Sequence, residues 1–252
     1  MVTGCTFRVN QASSGGAIDG SCGDAGVYGC TFEGNSATDS GGAVYSMDDM
    51  RECTFVTNSA LYGGAIRNCR DTGSTYLIQG VASSSGGGVA AYESDLTGIH
   101  CTGQGLGKRS ALYSCTVRDS CFDGSYVTNG VICSYSTFDR CRFTNITNPV
   151  PKETGAFLFG YTTSATNCLI AGCQLYSIPY NSKAPMGIYN CTIVSNAFSS
   201  WGAGGSSKAE AVMKNTFLYG NVCGSHVTDF ASRLDESFAR IDNSTALLCA
   251  VG

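Results

Sequence analysis

Charge is scarce in this 252-residue chain: 13% of residues are Asp, Glu, Lys or Arg, and the formal net charge is −4. The few Lys and Arg are scattered and form no basic stripe, which argues against nucleic acid as a partner. No apolar run is long enough to cross a bilayer, so this segment is not expected to insert directly into a membrane. Met1-Val2-Thr3-Gly4 lacks the charged start and apolar run of a signal peptide. No stretch before residue 229 has a persuasive helical period. The paired C-x-x-C spacing of a zinc site is missing as well, and no cofactor motif is present.

Glycine (33) and cysteine (15) are abundant, and they recur at a fixed period. Cys5-Thr6-Phe7 runs to Asn10, Cys30-Thr31-Phe32 to Asn35, and Cys53-Thr54-Phe55 to Asn58, a spacing of about 23–25 residues. A glycine pair and a small apolar step follow each: Gly15-Gly16-Ala17-Ile18, Gly41-Gly42-Ala43-Val44 and Gly63-Gly64-Ala65-Ile66. Units this short cannot bury a core alone and must stack on one another. Alternation over short β-prone runs places Tyr28, Cys30 and Phe32 on one face and Gly29 and Thr31 on the other. Gly and Asn tolerate positive φ and suit the corners. The prediction is an all-β fold, a right-handed parallel β-helix (solenoid) of about ten coils, each strand pairing with its equivalent one coil on.

Equal positions then stack into columns. Cys5, Cys30 and Cys53 form one, and Phe7, Phe32 and Phe55 a second, both inside. Asn10, Asn35 and Asn58 form a third at a corner, where each amide can bond its copies above and below. The cysteines read as small buried fillers. The rival reading, disulfides between coils, is weaker because parallel side chains in a ladder are poorly aimed for one.

The signature continues loosely through Thr75-Tyr76-Leu77, Cys115-Thr116-Val117, Cys141-Arg142-Phe143, Cys168-Leu169-Ile170, Cys191-Thr192-Ile193 and Thr216-Phe217-Leu218, with one coil placed in 92–110. The continuous repeat argues for a single domain over 1–252. It is read as an excerpt of a longer protein whose export signal and anchor lie elsewhere. Phe230, Leu234, Phe238 and Ile241 fall at helical spacing, so 229–242 is a candidate capping helix. The alternative is a loop leading into further coils, because Ala246-Leu247-Leu248-Cys249 reads as a strand.

Cys-Thr-Phe-x-x-Asn followed by Gly-Gly-Ala-Ile resembles the repeats of polymorphic outer membrane proteins, whose passengers carry F-x-x-N and G-G-A-[ILV] motifs. The resemblance covers residues 4–66 well. Residues 167–230 resemble the final coils of secreted bacterial right-handed parallel β-helix proteins. The resemblance implies a surface-displayed or secreted protein, often adhesive, with no catalytic residues to carry over. The export β-barrel of an autotransporter is not in this chain.

Enzymes also use this fold, and a hydrolase needs two carboxylates across a groove. Asp48-Asp49, beside Arg51 and Glu52, is the one Asp-Asp pair, and it reads as a solvated turn. His100, His226 and the pair Lys108-Arg109 have no partner evident in sequence. Longer insertions follow the signature after Cys141, Cys168 and Cys191, at 144–154, 174–185 and 197–208. Stacking should place them on one side of the rod, where per-repeat insertions often bind. Tyr176, Tyr180, Lys183 and Trp201 are therefore the candidate partner or ligand surface. The leading function is a non-enzymatic cell-surface or secreted β-helix scaffold of adhesion or display type. Its partner would be a host or cell-surface protein or glycan. The alternative is a carbohydrate-active β-helix, lyase- or glycoside hydrolase-like, or a carbohydrate-binding module.

Overall fold

The computed structural model describes residues 1–21, 25–77, 80–81, 90–102, 111–124, 130–147, 156–175, 177–179, 186–198, 211–219, 221–223, 239–242 and 245–246. The chain winds as a right-handed parallel β-helix, and every strand pairing is parallel to the equivalent strand of the next coil. Sheet A has eleven strands, from Val2–Thr3 to Ala239–Asp242, and sheet B eleven, from Thr6–Arg8 to Thr245–Ala246. Sheet D has eight, from Ile18–Asp19 to Ser177–Pro179. Between B and D lies sheet C in the first four coils, Gln11–Ser14 to Gly80–Val81. Sheet E replaces it in later coils, with strands Gln174–Leu175, Ala197–Phe198 and Val222–Cys223.

Among the described residues sheets A and B each hold eleven strands, one per coil, where about ten coils were expected. The additional one comes from the C-terminal stretch. Ala239–Asp242 is not helical; it pairs with Ala211–Lys214, and Thr245–Ala246 pairs with Phe217–Leu218. The open edges of the tenth coil offer unpaired backbone groups, and pairing with them outweighs a local helical period. The remainder of the expected capping helix, 229–238, lies outside the described residues.

Tyr28, Cys30 and Phe32 do not share one strand. The backbone turns at Gly29 (φ 57°), ending the sheet A strand Val27–Tyr28 and starting the sheet B strand Thr31–Glu33. Cys30 and Phe32 are buried, while Tyr28 faces outward. The same corner recurs at Glu52 (φ 53°), Gly73 (φ 72°), Asp119 (φ 52°), Arg140 (φ 53°) and Asn167 (φ 56°). Cys115 also sits elsewhere than expected. It precedes Thr116–Arg118 of sheet A, and Cys121–Asp123 is the sheet B strand of that coil.

The residue after each A–B corner forms the cysteine column: Cys5 at the uncovered first coil is exposed, contrary to expectation, and Cys30, Cys53, Ser74, Ile99, Ser120, Cys141, Cys168, Cys191 and Thr216 behind it are buried. These side chains do more than fill space. The Cys53 N–H donates to Ser74 Oγ at 2.9 Å and the Ile99 N–H to Ser120 Oγ at 3.1 Å. The Cys141 N–H donates to Cys168 Sγ at 3.4 Å. Most of these hydroxyls and thiols donate in turn to the carbonyl two residues earlier, as Ser120 does to Arg118 at 2.6 Å and Cys168 to Thr166 at 3.2 Å, whereas Ser74 donates to the Asp71 carboxylate at 2.6 Å. A short side chain with one donor and one acceptor satisfies the corner backbone, which explains why Cys, Ser and Thr interchange there. Twelve cysteines, from Cys5 to Cys191, are free thiols.

Phe7, Phe32, Phe55 and Tyr76 stack inside at successive centroid distances of 5.0, 5.0 and 4.8 Å. The asparagine column is a bonded ladder. Asn35 Oδ1 accepts from Asn10 Nδ2 at 2.8 Å, and Asn35 Nδ2 donates to Asn58 Oδ1 and to the Phe7 carbonyl, both at 3.0 Å. The ladder resumes at Asn196, whose Nδ2 donates to Asn221 Oδ1 at 2.8 Å. In the glycine pair Gly41-Gly42 each residue answers a different demand. Gly41 takes φ 58°, and a Cβ on Gly42 would lie 2.0 Å from the Gly64 carbonyl oxygen of the next coil.

Candidate functional site

The corner between sheets D and A gathers side chains that the fold does not consume. In Ile66–Arg67, Ala91–Tyr92 and Leu112–Tyr113 of sheet D the first residue is buried and the second faces outward. The next residue turns the corner with positive φ: Asn68 (52°), Glu93 (49°), Ser114 (53°), Tyr135 (54°) and Tyr161 (32°). Its side chain is therefore thrown clear of the rod. Buried Cys69, Ser94, Cys115, Ser136 and Thr163 follow and lock the corner. The Cys69 N–H donates to Ser94 Oγ and the Cys115 N–H to Ser136 Oγ, each at 3.1 Å.

Parallel pairing sets Tyr92 over Tyr113, and the tyrosines of the next two corners, Tyr135 and Tyr161, continue the line. Tyr92, Tyr113, Tyr135 and Tyr161 form a continuous row with centroid spacings of 5.0, 4.9 and 5.2 Å. The row consists of two parallel pairs, 1° and 2° between planes, separated by a 50° tilt between Tyr113 and Tyr135. Tyr135 is 43% exposed and Tyr161 37%. At the other end Arg67 lies 5.0 Å from the Tyr92 ring centroid and 5.1 Å from that of Tyr62. Its guanidinium also meets Glu93 at 3.2 Å, Asp39 at 3.9 Å and Ser40 Oγ at 2.6 Å, so Arg67 anchors the row. Partial burial raises the Tyr92 and Tyr113 phenols above their ordinary pKa, and the neighbouring Glu93 charge adds to this at Tyr92. Both remain proton donors at neutral pH.

Beside the row lies a polar groove of about 320 Å³, lined by Asp48, Asn68, Arg70, Glu93, Asp95 and Ser114 along with the buried Cys69 and Ser94. Its lining residues include three acidic ones and one arginine.

Tyr176, Tyr180, Lys183 and Trp201 all lie outside the described residues, as do His226, Lys108 and Arg109. The bases of their insertions do align: Thr147 pairs with Gln174, and Gln174 with Ala197. The pair Asp48-Asp49 divides. Asp49 accepts from the Tyr28 hydroxyl and from Arg51 Nε at 2.8 Å, and these bonds, Tyr28 first, hold its carboxyl below the usual carboxylate range. Asp48 enters the groove. His100 is exposed on the outer face of sheet B. Among the described residues no group of three or more His, Cys, Asp and Glu is placed to hold a metal ion, and no helix is long and apolar enough to cross a membrane. The tyrosine row escaped the sequence reading, although Tyr92, Tyr113, Tyr135 and Tyr161 recur near the coil period.

Fold and corner together define a parallel β-helix repeat protein with a decorated flank. Residues 29–47 match the Chlamydia polymorphic membrane protein repeat, so the chain carries a repeat of the type its signature resembles. That segment holds the A–B corner at Gly29, the Phe32 and Asn35 columns and the Gly41-Gly42 pair. No curated protein matches the chain in sequence. Among solved structures, the tailspike protein of E. coli bacteriophage HK620 is similar at 14% identity and TM-score 0.40, over 79% of this chain and 44% of that one. A structure of that tailspike in complex with pentasaccharide is similar at 12% identity and TM-score 0.34, over 93% and 54%. The Streptococcus pneumoniae surface protein and adhesin PfbA is similar at 10% identity and TM-score 0.41, over 88% and 72%. The chain thus spans about half or less of the tailspike chains it matches.

Proposed function

We propose that this chain is a non-catalytic β-helix segment of a cell-surface or secreted protein and that it supports adhesion through its D–A flank. The observation that carries this reading is the tyrosine row. The repeat signature is spent on corners, ladders and core, whereas Tyr135 and Tyr161 expose large aromatic surface to solvent on a rigid scaffold. Exposed aromatic groups lined up on such a scaffold are suited to contact. The polymorphic membrane protein repeat at 29–47 supports a surface setting. The test is adhesion of fluorescently labelled protein to cultured cells. Wild type is expected to adhere, and a Tyr135→Asn/Tyr161→Asn variant to lose most of that adhesion. Equal adhesion of the two sinks the assignment to this flank.

A second reading rests on the three carboxylates in the groove: a glycoside hydrolase using two of Asp48, Glu93 and Asp95. It is less well supported, because Glu93 is bound by the Arg67 guanidinium at 3.2 Å and is thereby drawn toward the tyrosine row. Release of reducing sugar from a β-1,4-glucan, abolished by Asp95→Asn, would favour it.

A further inference from the structure

We infer that the D–A flank binds a neutral, extended β-1,4-linked glycan lying parallel to the rod axis, with sugar faces and edges against Tyr135 and Tyr161 and hydroxyls in the adjoining groove. This deepens the adhesion reading and rests on it for biological context, although binding itself is tested separately.

Four observations select this ligand. The flank offers no strand edge: Ala91–Tyr92, for example, pairs with Ile66–Arg67 on one side and Leu112–Tyr113 on the other. A peptide therefore has no backbone to add to, which removes the commonest way an extended peptide docks on a sheet. Next, the groove is lined by amide, hydroxyl, carboxylate and guanidinium groups. A protein hot spot calls for a desolvated apolar pocket, whereas such a mixed lining matches a ligand that both donates and accepts at every ring.

Charge gives the third argument. Asp48, Glu93 and Asp95 outnumber Arg70 in the groove, and Arg67 is already engaged by Glu93 and Asp39. A sulfated or sialylated chain would bring like charge to these carboxylates, so the ligand is neutral. The fourth is periodicity. Successive rings recur at 5.0, 4.9 and 5.2 Å from coil to coil. A flat β-1,4-linked pyranose chain repeats on a similar scale, so successive sugars meet equivalent side chains. The 50° tilt between Tyr113 and Tyr135 interrupts the parallel stack at the middle of the row. The Tyr92 phenol stays protonated, while that of Tyr113 is hydrogen-bonded to Tyr135 and joins the two halves of the row.

The experiment is calorimetric titration of the full chain with cellohexaose, chitohexaose and a heparin hexasaccharide. It compares wild type, Tyr135→Asn/Tyr161→Asn and Glu93→Gln. Asn is chosen because it tolerates the positive φ of both tyrosine positions, and thermal melting checks that each variant folds. Binding of a neutral hexasaccharide, weakened at least tenfold in the double tyrosine variant and several-fold in Glu93→Gln, supports the inference. No binding of either neutral sugar at millimolar concentration, preference for heparin, or equal affinity of wild type and both folded variants overturns it. Cell adhesion separates the two levels. Adhesion that survives glycosidase treatment of the cells but not protease treatment leaves the adhesion reading standing and assigns the flank to a protein partner, against the glycan. Absence of adhesion to any cell together with clear binding of a neutral hexasaccharide overturns the adhesion reading alone.

Discussion

Among the described residues Asp71 is the one carboxyl group carried into the core. It stands inside sheet A between Met50 and Leu96, and accepts from Ser74 Oγ and from the Tyr76 hydroxyl, both at 2.6 Å. Burial pushes its carboxyl up to about 6, against the two hydroxyls that hold it down. A folded-state value above the unfolded 3.8 means the native chain binds this proton more tightly. The associated stability is fully present below about pH 4 and is lost as pH rises through about 6. At neutral pH the shift corresponds to about 3 kcal/mol. Asp71→Asn is therefore expected to raise stability at pH 7 and to flatten the pH dependence between pH 4 and 7, as read from urea midpoints; an unchanged profile would refute this. Burial likewise pushes Cys53 up to about 11 and Cys69 and Cys115 up to about 12. Iodoacetamide on the native protein should modify exposed Cys5 and spare these three, as peptide mass mapping will read. The burial of these cysteines was legible from their period. Their hydrogen bonding was not, because each thiol reaches back across a corner to the carbonyl two residues earlier and each N–H finds a serine hydroxyl one coil on. Asp71 carried no sequence signal either: it fills an inward position that Met50 and Leu96 occupy in adjacent coils.

At the scale of the element, the corners govern the coil. The asparagine ladder and the glycine pair were both readable from spacing, since identical residues at a fixed period must superpose in a parallel stack. Asn35 is wholly buried and joins three coils. Asn35→Ala would leave the Asn10 N–H and the Phe7 carbonyl without their partner and is expected to cost about 3 kcal/mol in chemical denaturation. Gly42→Ala should cost about 3 kcal/mol or more, because the new methyl meets rigid backbone at Gly64 and Ser59 and not the end of a flexible side chain. A loss below 1 kcal/mol would show that the coils separate easily. Where the sequence reading slipped, it slipped in register. Cys115-Thr116-Val117 looks like the signature, yet both the A–B and the D–A corners use a small hydrogen-bonding residue followed by a strand. The two corners are locally alike, and only the pairing of Thr116–Arg118 with Asp95–Thr97 and Thr137–Asp139 tells them apart.

At the scale of the whole molecule, each coil touches only its neighbours, so damage should stay local. In hydrogen exchange, Gly42→Ala is expected to lower protection in 11–19, 36–45 and 59–67 while leaving 164–171 and 186–194 near wild type. Uniform loss along the rod would instead mean that it unfolds as one unit. The sequence by itself determined the parallel solenoid, its asparagine and phenylalanine columns and its glycine corners, because a strict period maps one-dimensional spacing directly onto stacking. The tertiary structure decided what the period conceals. It made an eleventh coil of a stretch with helical spacing, because an open sheet edge competes for that backbone. It also assembled the flank. Tyr92 and Tyr113 belong to sheet D, whereas Tyr135 and Tyr161 belong to the corner after it. Their recurrence near the coil period is visible in residue order, but that two kinds of position meet in one row depends on the backbone geometry of the positive-φ corner.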